Sequence, residues 1–225
     1  MEEHFISVSR SARYYTLGNF DESLREVWFV CHGYGQLASS FLKKFEIIAD
    51  RRLIIAPEGL SRFYWQGFSG RVAASWMTRE DRLHEIEDYV NYLDAVYQQT
   101  FPKLNRDSVK VIALGFSQGT ATASRWVFST TGRVDRLILW GGLLPADLNL
   151  KSARNLVQKL NPVFVVGKND EFANSENLGE QQTRLQELDI QHEVISYDGG
   201  HEIDAATLKE LANNLVFDSL NQEKA

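Results

Sequence analysis

The sequence predicts an α/β fold, a mostly parallel sheet flanked by helices on both faces. Two observations carry this. Short apolar runs rich in β-branched residues recur along the chain, and longer stretches with helical spacing lie between them. A strand buried on both faces has no reason to alternate polar with apolar residues, so continuous apolar runs mark the interior of a parallel sheet. Parallel neighbours also need crossover connections, which the helical stretches supply in the right-handed sense.

Taken in order, strands are expected at residues 26–31, 52–56, 109–114, 134–140, 162–166 and 192–197. Residues 5–16 alternate weakly and reach a turn at Gly18-Asn19, which predicts one or two antiparallel strands at the sheet edge. The clearest helix covers 79–99, where Leu83, Ile86, Tyr89, Val90, Leu93, Val96 and Tyr97 form one apolar stripe opposite an acidic, polar face. A helix over 120–128 follows the strand at 109–114. Another over 205–220 sets Leu208, Leu211, Leu215 and Val216 on one side. No repeat, charge block or Pro/Gly/Ser linker interrupts the pattern, so one domain spanning 1–225 is expected.

Composition narrows the class of function. The chain has 225 residues, of which 44% are hydrophobic and 24% charged, the balance of a globular protein able to bury a sizeable core. Its formal net charge of −6 offers no basic field to phosphate backbones or anionic lipid heads, so nucleic acid is excluded as an expected partner. Met1-Glu2-Glu3-His4 is acidic where a secretory signal carries positive charge, and no run approaches the ~18 apolar residues of a membrane span. A cytoplasmic location is expected. Cys31 stands alone and reads as a core side chain. With one cysteine and isolated histidines, no metal site and no cofactor are expected.

The chemistry concentrates in Gly115-Phe116-Ser117-Gln118-Gly119, between an expected strand and an expected helix. A serine hydroxyl is a poor nucleophile until a base reaches it, and a tight strand-to-helix turn lifts it clear of the sheet while glycines avoid clashes. The amide of Gln118 then opens the helix, where unpaired donors and the helix dipole favour a developing oxyanion. In this arrangement the acid and the histidine follow the serine. Of His192 and His201, His201 lies beyond the carboxyl end of the last expected strand, behind Gly199-Gly200, and is the expected base. Asp170, beyond the strand at 162–166, is the expected acid, ahead of Glu171, Asp198 and Asp147. A second oxyanion donor is expected from the amide of Tyr34, in His32-Gly33-Tyr34-Gly35, with His32 as a support for that loop.

Together, His32-Gly33-Tyr34-Gly35, Ala56-Pro57-Glu58-Gly59, Ser75-Trp76, Gly115-Phe116-Ser117-Gln118-Gly119, Asp170 and Gly200-His201 resemble the carboxylesterase/phospholipase family that includes acyl-protein thioesterases. The resemblance implies an α/β-hydrolase fold with little or no cap, a Ser117–His201–Asp170 triad, Tyr34 and Gln118 as oxyanion donors, and small-molecule ester or thioester substrates. Three positions depart from that pattern. Thr120 replaces the last glycine of the elbow, Gln36 stands where an acidic residue is common, and the residues after Asp170 lack Val-Pro.

Residues 59–77 carry Phe63, Tyr64, Trp65, Phe68, Trp76 and Met77, which is aromatic for a loop. Trp65, Phe63 and Trp76 are expected to wall a substrate pocket, or else to pack beneath a long loop as a satellite core; Trp76 is the first choice for the pocket because the family keeps Ser-Trp near the nucleophile. Arg62, Arg71 and Arg79 read as solvated surface charges with the reach to meet an anionic group. A lactone or dienelactone hydrolase is the enzymatic alternative, although Ser117 stands where its best-known form uses cysteine. A binding protein on a hydrolase scaffold is the other.

Overall fold

The computed structural model describes residues 1–101, 109–173 and 175–222. Its strands are β1 (Tyr14–Leu17), β2 (Glu26–Cys31), β3 (Arg52–Pro57), β4 (Ser61–Tyr64), β5 (Val72–Ser75), β6 (Lys110–Phe116), β7 (Arg136–Trp140), β8 (Val163–Gly167) and β9 (Glu193–Tyr197). Its helices are α1 (Ala38–Leu42), continued by a 3-10 turn over Lys43–Ile48, α2 (Arg82–Thr100), α3 (Gln118–Ser129), α4 (Arg154–Leu160), α5 (Ser175–Gln186) and α6 (Ala205–Gln222). The six runs read from the sequence as buried strands are β2, β3, β6, β7, β8 and β9, displaced by at most two residues at either end, but β9, at the sheet edge, is exposed over most of its length and buried only at Tyr197.

Seven strands form one sheet in the order β1-β3-β2-β6-β7-β8-β9. All neighbours are parallel except β1, which pairs antiparallel with β3 through Tyr14↔Pro57 to Leu17↔Ile54. The amino-terminal expectation of one or two strands thus resolves to one, and residues 1–13 carry no regular structure.

Alternate residues of the central strands feed two separate cores. Val27, Phe29, Val111, Ala113, Leu137 and Leu139 join Tyr89, Leu93 and Tyr97 of α2 and Trp126 of α3. Their neighbours Trp28, Val30, Ile112, Leu114, Ile138 and Trp140 turn to the other face, with Phe41 and Phe45 and with Leu208 and Leu211 of α6. Each fully buried large apolar side chain contributes about 1.5–3 kcal/mol relative to exposure, which is why the strands tolerate so few polar positions. Indoles in this interior need partners for their N–H groups. Trp28 donates to Glu26 Oε2 at 2.9 Å and Trp126 to Asp94 Oδ1 at 2.8 Å. Cys31 is buried, and desolvation pushes its thiol well above the usual range, as its reading as a core side chain requires.

The α2 stripe is shorter than its periodicity suggests. Tyr89, Leu93, Val96 and Tyr97 are buried and Ile86 and Val90 are half-buried, whereas Leu83 is 73% exposed, one turn before the helix meets the sheet. In α6 the side chains of Leu215 and Val216 lie outside those described. The loop expected over 59–77 is instead a two-stranded hairpin, β4 with β5, from Ser61↔Ser75 to Tyr64↔Val72. Exposed side chains alternate along β4, so its aromatic residues masked the period-two signal. No helix among the described residues is long and apolar enough to cross a membrane.

Candidate active site

At the carboxyl end of β6, Ser117 takes φ 54° and ψ −119°, a left-handed backbone that most non-glycine residues avoid. Its amide is fixed by donation to the Trp140 carbonyl at 2.9 Å, and its own carbonyl accepts both the amide and the hydroxyl of Thr120, at 3.0 and 2.7 Å. Thr120, a departure from the family pattern, therefore ties the elbow closed with a bond glycine cannot make. A Cβ on Gly115 would fall on the Gly119 carbonyl oxygen, and one on Gly119 on that of Cys31. Strand end, turn and helix approach this closely only without side chains at those two positions.

His201 follows β9, and its Nε2 lies 2.8 Å from Ser117 Oγ. Its Nδ1 lies 2.8 Å from Asp170 Oδ2, which assigns the proton to Nδ1 and leaves Nε2 to accept the serine hydroxyl. Asp170 is 5% exposed. Burial alone would raise its carboxyl, yet the bond from His201 and the amides of Ala173 and Phe172, at 3.1 and 2.8 Å on Oδ1, hold it below the ordinary value. The histidine loop is braced from beneath: Trp140 Nε1 donates to the Glu202 carbonyl at 2.7 Å, and the Tyr197 hydroxyl faces the carbonyls of Gly200 and Glu202.

The other titratable candidates go elsewhere. Asp147 is held by Arg125 at 2.9 Å and Arg82 at 3.0 Å, and the hydrogen bond from Arg125 chiefly draws its carboxyl down to about 2. Asp198 pairs with Lys168 at the surface, and Glu171 is exposed. His192 reaches the Ile190 carbonyl at the opposite end of β9. Among the described residues, no group of three or more His, Cys, Asp or Glu side chains is placed to hold a metal ion.

The loop after β2 lies against the elbow, since a Cβ on Gly33 would stand 3.2 Å from Ser117 Cβ. Its amides are largely committed. Gly33 N–H donates to Gln36 Oε1 and Gly35 N–H to the Ala74 carbonyl, each at 2.9 Å, while Tyr34 N–H has no acceptor among the described residues. Gln118 opens α3, where the amide has no carbonyl one turn back to bond. Its side chain reaches across to the residues after β5, donating to the Met77 carbonyl at 2.8 Å and accepting the Trp76 amide at 3.2 Å. His32 is wholly buried. Its Nε2 accepts the Gly59 amide at 2.9 Å and its Nδ1 lies 2.8 Å from the Gly33 carbonyl, so it is a neutral bracket for this loop. Desolvation lowers its pKa to about 4.

Of the three expected pocket residues, two stand at the surface beside this loop. Phe63 and Trp65 group with Tyr34, with ring centroids 5.4 and 5.8 Å from the tyrosine. Trp76 corrects the expectation: it is 1% exposed, its indole donates to the His32 carbonyl at 2.8 Å, and its ring meets Tyr89 edge-on. An indole with its N–H satisfied inside the core offers no surface to a ligand. Phe172 and Phe116 were missed as neighbours of the histidine, with centroids 4.7 and 4.9 Å from His201. Phe172 lies in the segment that lacks Val-Pro, which was the one signal available. A separate cleft of about 840 Å³ lies between the amino-terminal segment and α2, beside Phe5, Tyr14, His84 and Tyr92. None of Ser117, His201 or Asp170 lines it.

Fold and site together define the α/β-hydrolase class, with no cap inserted among the described residues. The profile of the family described as Phospholipase/Carboxylesterase matches residues 21–217, and the chain belongs to that family. It is an ester hydrolase. No curated protein matches the sequence. Among solved structures it is similar to acyl-protein thioesterase 2 of Zea mays, with 18% identity over 92% of this chain and 98% of that one and a TM-score of 0.70. A carboxylesterase from Mesorhizobium loti has 20% identity over 89% and 93%, with a TM-score of 0.69. The Bacillus cereus carboxylesterase has 16% over 90% and 92%, with a TM-score of 0.62. At such identities the likeness is one of fold.

Proposed function

We propose that the protein hydrolyses carboxylic esters, or thioesters, by two-step acyl transfer through Ser117. The unbroken hydrogen-bond chain from Ser117 Oγ through His201 to Asp170, with both links at 2.8 Å, carries this reading. His201 Nε2 takes the hydroxyl proton as Oγ attacks the substrate carbonyl. Collapse of the tetrahedral intermediate breaks the bond to the leaving alcohol or thiol, which receives that proton. Water, deprotonated by the same nitrogen, then attacks the acyl-enzyme, and the released carboxylic acid frees Ser117. Asp170 holds the imidazole in the required tautomer and stabilises the imidazolium. The amides of Tyr34 and Gln118 bind the oxyanion, and each such donor contributes on the order of 10²–10³ in rate.

Tyr34, Phe63 and Trp65 form an aromatic shelf for one side of the ester, next to the oxyanion amide. Ser117→Ala is expected to abolish release of nitrophenol from a short-chain ester, with circular dichroism and melting unchanged. Wild-type protein should label at Ser117 with a fluorophosphonate. Turnover by the alanine variant at the wild-type rate would overturn the assignment.

A further inference from the structure

We propose that Arg71 forms an anion-binding subsite at the edge of the active site, and that the preferred esters carry a second, negatively charged carboxylate or phosphate group. The inference rests on the acyl-transfer reading above.

Arg71 stands where the β4–β5 hairpin closes, its carbonyl accepting the Trp65 amide at 2.9 Å. Two contacts hold the guanidinium over the oxyanion loop. Nη2 donates to the Gly35 carbonyl at 3.2 Å, and Cζ lies 5.4 Å from the centroid of the Trp65 ring. Trp65 in turn rests on Gly35, because a Cβ there would fall on the indole. Arginine, hairpin and loop are thus stacked as one unit, which removes much of the rotamer freedom that makes an exposed arginine a poor binding group.

The charge so fixed is unspent. Among the described residues no carboxylate comes within ion-pair distance of Arg71. Its neighbour Arg62, by contrast, lies 3.6 Å from Glu58, and Arg82 and Arg125 share Asp147. Only one of the five guanidinium N–H groups is used on the loop, so a bidentate edge is open to a carboxylate or phosphate. Gln36 completes the arrangement. It follows Gly35, it carries no charge, and its side-chain oxygen is occupied by Gly33 N–H, so it adds no anion to the loop that Arg71 covers. In a chain of net charge −6, a cation fixed on the loop that lies against the nucleophile selects for anions rather than merely attracting them from afar.

The loop also keeps the two ends close. Gly33 lies against Ser117 and Gly35 against the guanidinium, two residues apart in a turn that the Gln36 amide closes on the Gly33 carbonyl at 3.2 Å, so a small substrate can span both.

The test compares three nitrophenyl esters: the glutarate monoester, its phosphonate analogue and the neutral hexanoate. In wild-type protein the specificity constant for the glutarate monoester is expected to exceed that for hexanoate by about five- to tenfold. In Arg71→Gln that ratio falls to one or below, and in Arg71→Lys it is intermediate. The ratio cancels any common loss from loosening Gly35. A higher rate with the phosphonate than with the carboxylate identifies phosphate as the group the site was built for, and the reverse identifies carboxylate. Dissociation constants of the same esters for Ser117→Ala protein, with and without Arg71→Gln, read the subsite without turnover. Equal affinity for glutarate monoester and hexanoate, or a preference that survives Arg71→Gln, overturns the proposal. Absence of turnover in wild type, or its persistence in Ser117→Ala, overturns the acyl-transfer reading alone.

Discussion

Single residues in this protein are constrained chiefly by what lies within a bond length or two of them. Gly119 is the plainest case, since an added methyl would meet the Cys31 carbonyl, which belongs to a fully buried strand with nowhere to move. Gly119→Ala should therefore cost about 3 kcal/mol or more, read by urea denaturation, and disturb the elbow as well. His32 makes a different prediction. Its native pKa of about 4 lies below the ordinary 6.5, so the unfolded chain takes up a proton first as pH falls. The stability contributed by neutral His32 is complete above pH 6.5 and is lost between 6.5 and about 4, with a slope of at most ~1.4 kcal/mol per pH unit. His32→Gln lacks that titration, so its stability, though lower at pH 7, should fall less steeply over this window. Parallel curves for variant and wild type would refute the assignment.

At the scale of an element, the loop after β2 shows how a turn is set by side chains at its ends. Gln36 closes it twice, through its side chain on Gly33 N–H and through its own amide, 3.2 Å from the Gly33 carbonyl. This commits the Gly33 amide and leaves that of Tyr34 without an acceptor among the described residues, as the proposed oxyanion role requires. Gln36→Leu keeps the volume and loses the acceptor. It should lower kcat about tenfold with little change in KM, because a misdirected oxyanion donor is felt in the transition state and not in ground-state binding. Gln36→Glu, which keeps an acceptor, should recover most of that loss. An equal rise in KM for both variants would point instead to a collapsed pocket.

Across the whole molecule, polar ties join the sheet to its helical layers, and Arg52 makes several of them. Its guanidinium, 9% exposed at the side chain, pairs with buried Glu26 and donates to the Ile48 and Ala212 carbonyls, linking β2, β3, the 3-10 turn and α6. Arg52→Ala strands the Glu26 carboxylate among apolar residues. A loss of about 3–5 kcal/mol is expected, measured as a shift in the urea midpoint. Arg52→Ala combined with Glu26→Gln should recover part of it, and no recovery would show that packing rather than charge is responsible.

The sequence by itself determined the mostly parallel sheet and the places of six of its strands, and it singled out Ser117, Asp170 and His201 in that order, because buried strands and a glycine-flanked turn are local demands that leave local patterns. Its preference for Asp170 and His201 over their rivals rested on chain order, and the structure brings that pair to hydrogen-bond distance of one another and of Ser117. What only the tertiary structure decided depends on contacts between segments far apart in the chain. The aromatic stretch became a hairpin, after which Trp76 turned into the core while Phe63 stayed half-buried and Trp65 exposed. Phe172 came to rest on His201, and Arg71 on Gly35. Residue type is silent on such outcomes: an indole is equally suited to a core or a pocket wall, and an arginine to solvent or an anion, until the neighbours that satisfy its N–H groups are in place.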